Sequence, residues 1–355
     1  MNINPDKSDY HCQLCNTTQI KFGRHRRLKM SGTDDIVAQA RMMCCASCGK
    51  SELDDVELMD CDGCKSVRYC SDDCKEDHRS EHEEKCKEYQ VAASRDEILF
   101  KQPESTHQGD CPICCVPLPI EDEKIASFSC CSKVVCHGCA VAEGLRQLGQ
   151  RRGVTCPFCR QRQSLNRTDE ETKKNLMKRV AANDPAALLQ IGTKHAQRKE
   201  YNVAFKYLTK AAELGDADAH FNLSVMYKNG HSVEKDEKKR VYHLEEAAIA
   251  GHPDARYNLA SFEEDNGRVE RAVKHLIIAA NLGHKPSMKS LKEYYKDGDV
   301  SKEDFAAALR GHHAAISAMK SPQREAVERT KTQREAVERA NSHSSAVRLK
   351  GVFPE

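Results

Sequence analysis

Between residues 183 and 310 the chain repeats one arrangement of apolar and polar positions. LGDADAHFNLSVMYKNG, from Leu214, aligns with AGHPDARYNLASFEEDNG, from Ala250, and with LGHKPSMKSLKEYYKDG, from Leu282. Ala219, Ala255 and Ser287 coincide, as do Leu223, Leu259 and Leu291. Each block follows an apolar stretch with an Ala-Ala pair, namely FKYLTKAAELG, YHLEEAAIAG and KHLIIAANLG. The marking glycines are Gly215, Gly251 and Gly283, a period in the mid-thirties with one shorter copy. The pattern predicts a helix, a Gly turn and a second helix in each unit, with small residues that let neighbouring helices approach and Leu and Tyr filling the seam. A single hairpin cannot cover both its faces, so stacking supplies the core and the expected architecture over 183–320 is an α-solenoid. Asp184 before Pro185 opens a degenerate first copy that runs to Leu214, and Ser301 with Asp304 marks another helix start.

Outside the repeats the pattern is weaker. YQVAASRDEILF predicts a helix with Val91, Ile98 and Leu99 on one side, and KQPESTHQGD reads as linker with a boundary near Pro103, so 87–110 is helix and linker. Residues 161–182 are polar and predict a connecting helix, while 321–355 form a charged tail that carries QREAVER at Gln323–Arg329 and again at Gln333–Arg339. That tail is expected to be a solvated helix followed by disorder. The formal charge of +2 gives no global field for a nucleic-acid partner; only KFGRHRRLK, Lys21 to Lys29, argues for one. No run of about 18 apolar residues suggests a membrane span.

Cysteine changes the picture. All nineteen cysteines lie between Cys12 and Cys159, dividing the chain into a metal-rich front and a cysteine-free back. The polar N-terminus and the repeated CxxC spacing favour zinc over a secreted disulfide framework, and hence an intracellular, cytoplasmic or nuclear setting. From 45 to 86 the pairs are Cys45 and Cys48, Cys61 and Cys64, Cys70 and Cys74, His82 and Cys86. From 111 to 160 they are Cys111 and Cys114, Cys130 and Cys131, Cys136 and Cys139, Cys156 and Cys159. Four donors saturate one tetrahedral zinc, so these sixteen imply about four ions. In 1–44, an uncertain segment, Cys12 and Cys15 have only His11, His25 and Cys44 as local companions.

The stretch 45–86, with its segment VRYCSDDCKEDHRSEHEEKC, resembles the MYND zinc-finger family. The resemblance implies that Cys45, Cys48, Cys70 and Cys74 hold one zinc and that Cys61, Cys64, His82 and Cys86 hold a second; by spacing Cys44 is a bystander, with replacement of Cys45 as the alternative. MYND fingers grip proline-containing peptides, and where relatives use Gln and Trp for this, Lys75 and Arg79 stand here. The stretch 111–160 is similar to the all-cysteine variety of the RING finger. That likeness implies a cross-braced unit in which the first and third pairs bind one zinc and the second and fourth bind another, with His137 as an alternative donor to the Cys130 and Cys131 pair. It also implies that a ubiquitin-conjugating enzyme docks at Ile113, Pro157 and Arg160, beside Leu145 or Leu148 on a helix after Cys139. A RING finger acts by positioning its charged partner, so no catalytic side chain is expected. Cys115 is outside the ligand spacing and reads as a small packed thiol. The helical units resemble Sel-1-like repeats, cousins of tetratricopeptide repeats, whose concave face takes a protein or peptide.

The expected fold is multidomain, with two small zinc-stabilised cross-brace fingers followed by an all-α solenoid of helical hairpin repeats. Three functions stay open. One is a ubiquitin ligase whose repeats or first finger select the substrate; another is a non-catalytic adaptor; the third, and weakest, is a nuclear regulator with nucleic-acid contact.

Overall fold

The computed structural model describes residues 44–51, 56–150, 153–162 and 169–333. Cys12, Cys15, the basic run from Lys21 to Lys29 and the second QREAVER copy lie outside the described residues. The chain forms two compact units, Met1–Lys101 with Glu263–Val269, and Gln102–Phe262 with Glu270–Glu355.

In the first unit β1 (Met59–Asp60) pairs antiparallel with β2 (Arg68–Tyr69), and α1 (Asp72–Asp77) and α2 (Arg79–Leu99) follow. Ser71 opens α1 by accepting a hydrogen bond from the Cys74 amide, which fixes the turn carrying Cys70 and Cys74. Among the described residues the finger's buried apolar cluster is Cys45, Leu58, Cys61, Cys64 and Tyr69, too little to hold a chain of this size without help. Helix α2 continues well past Cys86, but Val91 and Ile98 are 70% and 54% exposed while Leu99 is buried, so the expected apolar side does not form. Two apolar residues seven apart among charged neighbours are too sparse to make a burying stripe.

In the second unit the hairpin β3 (Ile125–Phe128) and β4 (Lys133–Cys136) leads into α3 (His137–Gly149). The helix begins two residues before Cys139, because the Cys136 sulfur caps it by accepting from the Cys139 amide. Buried Gln147, near its end, receives the Thr155 amide and donates to the Thr155 carbonyl, drawing the last CxxC back onto the helix. Leu118, Val135 and three cysteines form the small core, with Phe128 set edge-on to Phe158.

The helices α4 (Asp169–Ala181), α5 (Pro185–Gln197), α6 (Tyr201–Glu213), α7 (Ala217–Asn229), α8 (Glu237–Ile249), α9 (Pro253–Asp265), α10 (Val269–Asn281), α11 (Lys285–Asp297) and α12 (Lys302–Ala318) make the solenoid. From α5 to α11 each has 13 residues, about 20 Å of helix. Asp184, Asp216, Asp236 and Ser301 cap their helices through side-chain oxygens, and Pro185 takes the first helical position of α5. The aligned positions Ala219, Ala255, Ser287, Leu223, Leu259 and Leu291 are all buried, as are the Ala-Ala pairs and Leu208, Leu244 and Leu276. The first copy is not degenerate in form, since α5 and α6 are full-length and Leu188, Ala204 and Leu208 belong to the same core cluster as Leu223.

Two segments, one read as linker and the other as a solvated tail, are docked. In the linker, the His107 amide donates to the Gly251 carbonyl, and the His107 ring stacks on His252 at 4.4 Å. Gly251 sits at φ 90°, and a Cβ there would meet the Ser105 carbonyl oxygen at 2.7 Å, so both the turn and the linker's approach require glycine. The Nε2 atoms of His107 and His252 lie at ion-pair distance from the Asp218 carboxylate, 3.0 and 3.3 Å, and one repeat further on His284 bonds Asp254 at 3.2 Å. The cap histidine of one hairpin thus grips the first-turn aspartate of the hairpin before it. In the tail, the segment 322–333 is helical, and Arg324 reaches the carbonyls of Val116 and Pro117.

Leu208→Ala, at a fully buried site, is expected to lower stability by about 3 kcal/mol in urea unfolding. Burial opposes a charge on His107, but its bond to Asp218 outweighs this and holds its pKa above the ordinary histidine value, while Asp218 is held well below the carboxylate range. A raised histidine contributes fully below about pH 6.5 and loses its contribution as pH rises through its raised value, whereas a depressed carboxylate contributes fully above about pH 4 and loses its contribution as pH falls through its lowered value. The linker tether is therefore tightest from about pH 4 to 6.5. Proteolysis at 102–110 in His107→Gln, taken as a ratio to the parent at each pH, should be highest near pH 6 and approach one in mild alkali.

Candidate metal centres

Four groups of four donors converge, each with its ligand atoms within 4.8 Å of one another: Cys45, Cys48, Cys70 and Cys74; Cys61, Cys64, His82 and Cys86; Cys111, Cys114, Cys136 and Cys139; Cys130, Cys131, Cys156 and Cys159. In each finger the two groups interleave along the sequence. His137 is exposed on α3 and outside the groups, and Cys44, bridged to Ser51, is outside as well.

One local device recurs. In four of the five CxxC pairs among the described residues the residue four after the first cysteine takes a left-handed conformation, at Gly49, Lys65, Cys115 and Arg160, whereas the fifth pair, Cys136 and Cys139, opens α3. The amide of each left-handed residue donates back to that first cysteine's carbonyl, at 2.9, 3.0, 2.8 and 3.0 Å respectively. The turn leaves both sulfurs on one side and amides aimed at them. Cys115 is therefore a turn residue and exposed, not a packed thiol. Adjacent Cys130 and Cys131 reach one site because they lie in the tight β3–β4 turn, where the Cys131 and Ser132 amides both bond the Phe128 carbonyl and Ser132 is left-handed.

Sulfur separations include 3.5 Å for Cys48 and Cys70, 3.8 Å for Cys61 and Cys86, 4.0 Å for Cys114 and Cys136, and 3.6 Å for Cys131 and Cys156. Tetrahedral zinc with bonds of about 2.3 Å puts its sulfurs roughly 3.8 Å apart, whereas a disulfide needs about 2.0 Å. The donor sets fit zinc. His82 offers Nε2, 3.4 Å from the Cys64 sulfur, and burial lowers its pKa, leaving a neutral imidazole suited to ligation. Titration points the same way. Burial opposes ionisation of Cys45 and Cys111, but backbone amides outweigh it and bring each to about 7. The Cys48 contact pushes Cys70 up to about 12, and burial with Cys136 and Cys114 pushes Cys139 up. Four thiolates cannot share so small a space without a cation, and a dication there holds all four ionised.

The residues implicated in docking are spread over one finger's surface. Ile113 is 40% exposed, Leu145 and Leu148 are exposed on α3, Pro157 is half-buried and Arg160 is exposed. In the first finger Lys75 pairs with Asp62, and Arg79 pairs with Glu76. A fifth convergence, His107, Asp218 and His252, escaped sequence reasoning. The His252 Nδ1 accepts the Ala255 amide, so its Nε2 carries the proton and donates to Asp218. That nitrogen has no lone pair for a metal. Asp218 and Asp254 stand at one register position of the repeat, as do His252 and His284, and this was the signal in the sequence.

Residues 45–86 match the family model of the MYND finger, and 186–216, 217–252 and 253–284 each match the Sel1 repeat. Residues 45–86 are a MYND finger, followed by a Sel1-repeat solenoid. The matched repeats begin in the copy that the sequence marks as degenerate. Over 60 residues, 17% of this chain, the protein is 40% identical to "Putative beta-lactamase HcpC" of Helicobacter pylori strain J99, covering 21% of that protein. A protein of the same name from strain 26695 is 39% identical over 56 residues, 16% of this chain and 19% of that protein. The chain spans about a fifth of the length of these curated relatives. Among solved structures, a Sel1 repeat protein from Oxalobacter formigenes is 24% identical with a TM-score of 0.38, over 48% of this chain and 80% of that one. The protective antigen c5321 of uropathogenic Escherichia coli, displaying an SLR fold, is 27% identical with a TM-score of 0.36, over 42% and 33%. No helix among the described residues is long and apolar enough to cross a membrane.

Zinc contributes on the order of 10 kcal/mol to small domains of this kind, comparable to their whole stability. Cys64→Ser is expected to unfold the MYND finger and Cys131→Ser the second finger, each losing about one to two zinc ions by elemental analysis. The helical circular dichroism of the solenoid should largely persist.

Proposed function

We propose that the chain is a zinc-organised protein-binding scaffold whose second finger, 111–160, docks a ubiquitin-conjugating enzyme in the manner of a RING finger. Protein binding is the role that the MYND finger and the Sel1 repeats support together. What supports the finer reading is the interleaving of two four-cysteine groups, with exposed Ile113 on one CxxC turn and Arg160 on the other. An apolar residue and a guanidinium held on separate rigid turns suit a partner that must be oriented rather than chemically attacked. Eight sulfurs of the Cys111–Cys159 finger belong to the two groups and Cys115 stands exposed outside them, and the rate enhancement would come from holding the charged enzyme and its thioester in a reactive pose. Arg160 is the basic group that reaches both. Its left-handed backbone keeps it at the turn's tip. The solenoid then selects the protein to be modified, as does the MYND finger if its Lys75 and Arg79 side admits a peptide.

The test is autoubiquitination by the purified, zinc-loaded chain against a panel of conjugating enzymes. Activity should fall at least tenfold in Ile113→Ala and in Arg160→Ala with zinc content unchanged. Silence of the parent throughout the panel would favour the non-catalytic adaptor.

A further inference from the structure

The face of the second finger that carries Cys114, Val116, Pro117 and Gly138 is already covered by a specific peptide. Arg324 Nη1 donates to the Pro117 carbonyl at 2.7 Å and to the Met319 carbonyl, while Nη2 donates to the Val116 carbonyl at 3.1 Å and lies 3.8 Å from the Cys114 sulfur. Such a fork needs a planar guanidinium. The peptide backbone comes equally close, since a Cβ on Gly138 would stand 2.6 Å from the Arg324 nitrogen. Ser321 caps the segment by accepting from the Arg324 amide. Beyond the arginine, Glu325 and Glu328 line a cavity of about 430 Å³ together with Lys124, Lys285 and Lys320. The contacts thus read the arginine and the close backbone approach at Gly138, and the heptad Gln323–Arg329 that makes them is written again, letter for letter, at Gln333–Arg339.

We propose that this face is a binding site for the QREAVER heptad, filled by the first copy and competent to take the second, so that Arg334 replaces Arg324 when the first copy is withdrawn. The copies are not equal. About four residues separate Met319 from Arg324 and about fourteen separate it from Arg334, and the longer closure disfavours the second copy about sixfold. Its place for the capping serine holds Lys331, which costs about a further fivefold. The first copy is therefore preferred roughly thirtyfold, and the second is a reserve ligand on the same tether. The site does not rest on the ligase reading, because it requires only that the finger be folded.

Alkylation of Cys114 in the full zinc-loaded chain, localised by mass spectrometry, reads occupancy, since the docked arginine covers that sulfur. Arg334→Gln should match the parent, Arg324→Gln should be faster, and the double variant faster still. Adding a synthetic peptide of residues 321–330 should return the double variant towards the parent rate, and the same peptide with Gln for Arg324 should not. Lysine variants R324K and R324K/R334K should follow the same order, which keeps the comparison decisive if the glutamine changes release zinc. Equal rates in Arg324→Gln and the double variant would overturn the second copy as a ligand. Parent-like rates in the double variant, or no rescue by the peptide, would overturn the site itself.

Discussion

Mutual repulsion of closely held thiolates is the constraint on which the front of this protein depends. Each finger buries a handful of apolar side chains, and its remaining interior is sulfur. Without a cation the sulfurs hold one another's protons, as the raised pKa of Cys70 and Cys139 reports. With a dication the same crowding becomes four bonds. The left-handed turn that follows four of the CxxC pairs makes this exchange available, because it aims amides at the sulfurs and keeps the pair on one side. It also decides what the turn exposes, so that the ordinary-looking residues Lys65, Cys115 and Arg160 occupy a conformation that side chains rarely take.

The solenoid is built on a different economy of contacts. Alanines at the helix seams permit close approach, and leucines at one register position supply the area. Its polar caps do more than end helices. His252 and His284 stand at the register position that Asp216 fills in the first aligned block; His252 Nδ1 accepts the Ala255 amide, His284 Nδ1 meets the Ser287 hydroxyl, and the Nε2 of each faces an aspartate of the hairpin before. The stack is therefore tied by charge-bearing bonds as well as by packing, and the linker joins the ladder by placing His107 on Asp218. Through that histidine, and through Arg324 at the other end of the repeats, the second finger is fixed to the helices that follow it within its unit. A scaffold that presents a finger to one partner and a helical surface to another needs such fixed geometry.

The sequence by itself determined the repeat period, the helix starts at Asp184 and Ser301, the buried small and leucine positions, and the two clusters of cysteine pairs. These are local or periodic properties. Helical spacing, cap chemistry and CxxC turns act within a few residues, so they are written in the order in which they are used. The sequence named Cys130 and Cys131 with His137 as an alternative donor, and the β3–β4 turn brings Cys131 to Cys156 while His137 is exposed on α3. The sequence also overestimated the apolar side of α2 and read Cys115 as packed, since neither the sparseness of Val91 and Ile98 nor a left-handed backbone is visible in composition.

Only the tertiary structure decided what the linker and the tail do. His107 lies in a polar, Ser- and Pro-containing stretch and Arg324 in a charged repeat, and both compositions ordinarily mean solvent. Each residue finds its partners more than a hundred positions away, at Asp218 and at Val116 and Pro117. Bonds between such distant residues depend on where the stacked helices bring the chain, and no periodicity records that.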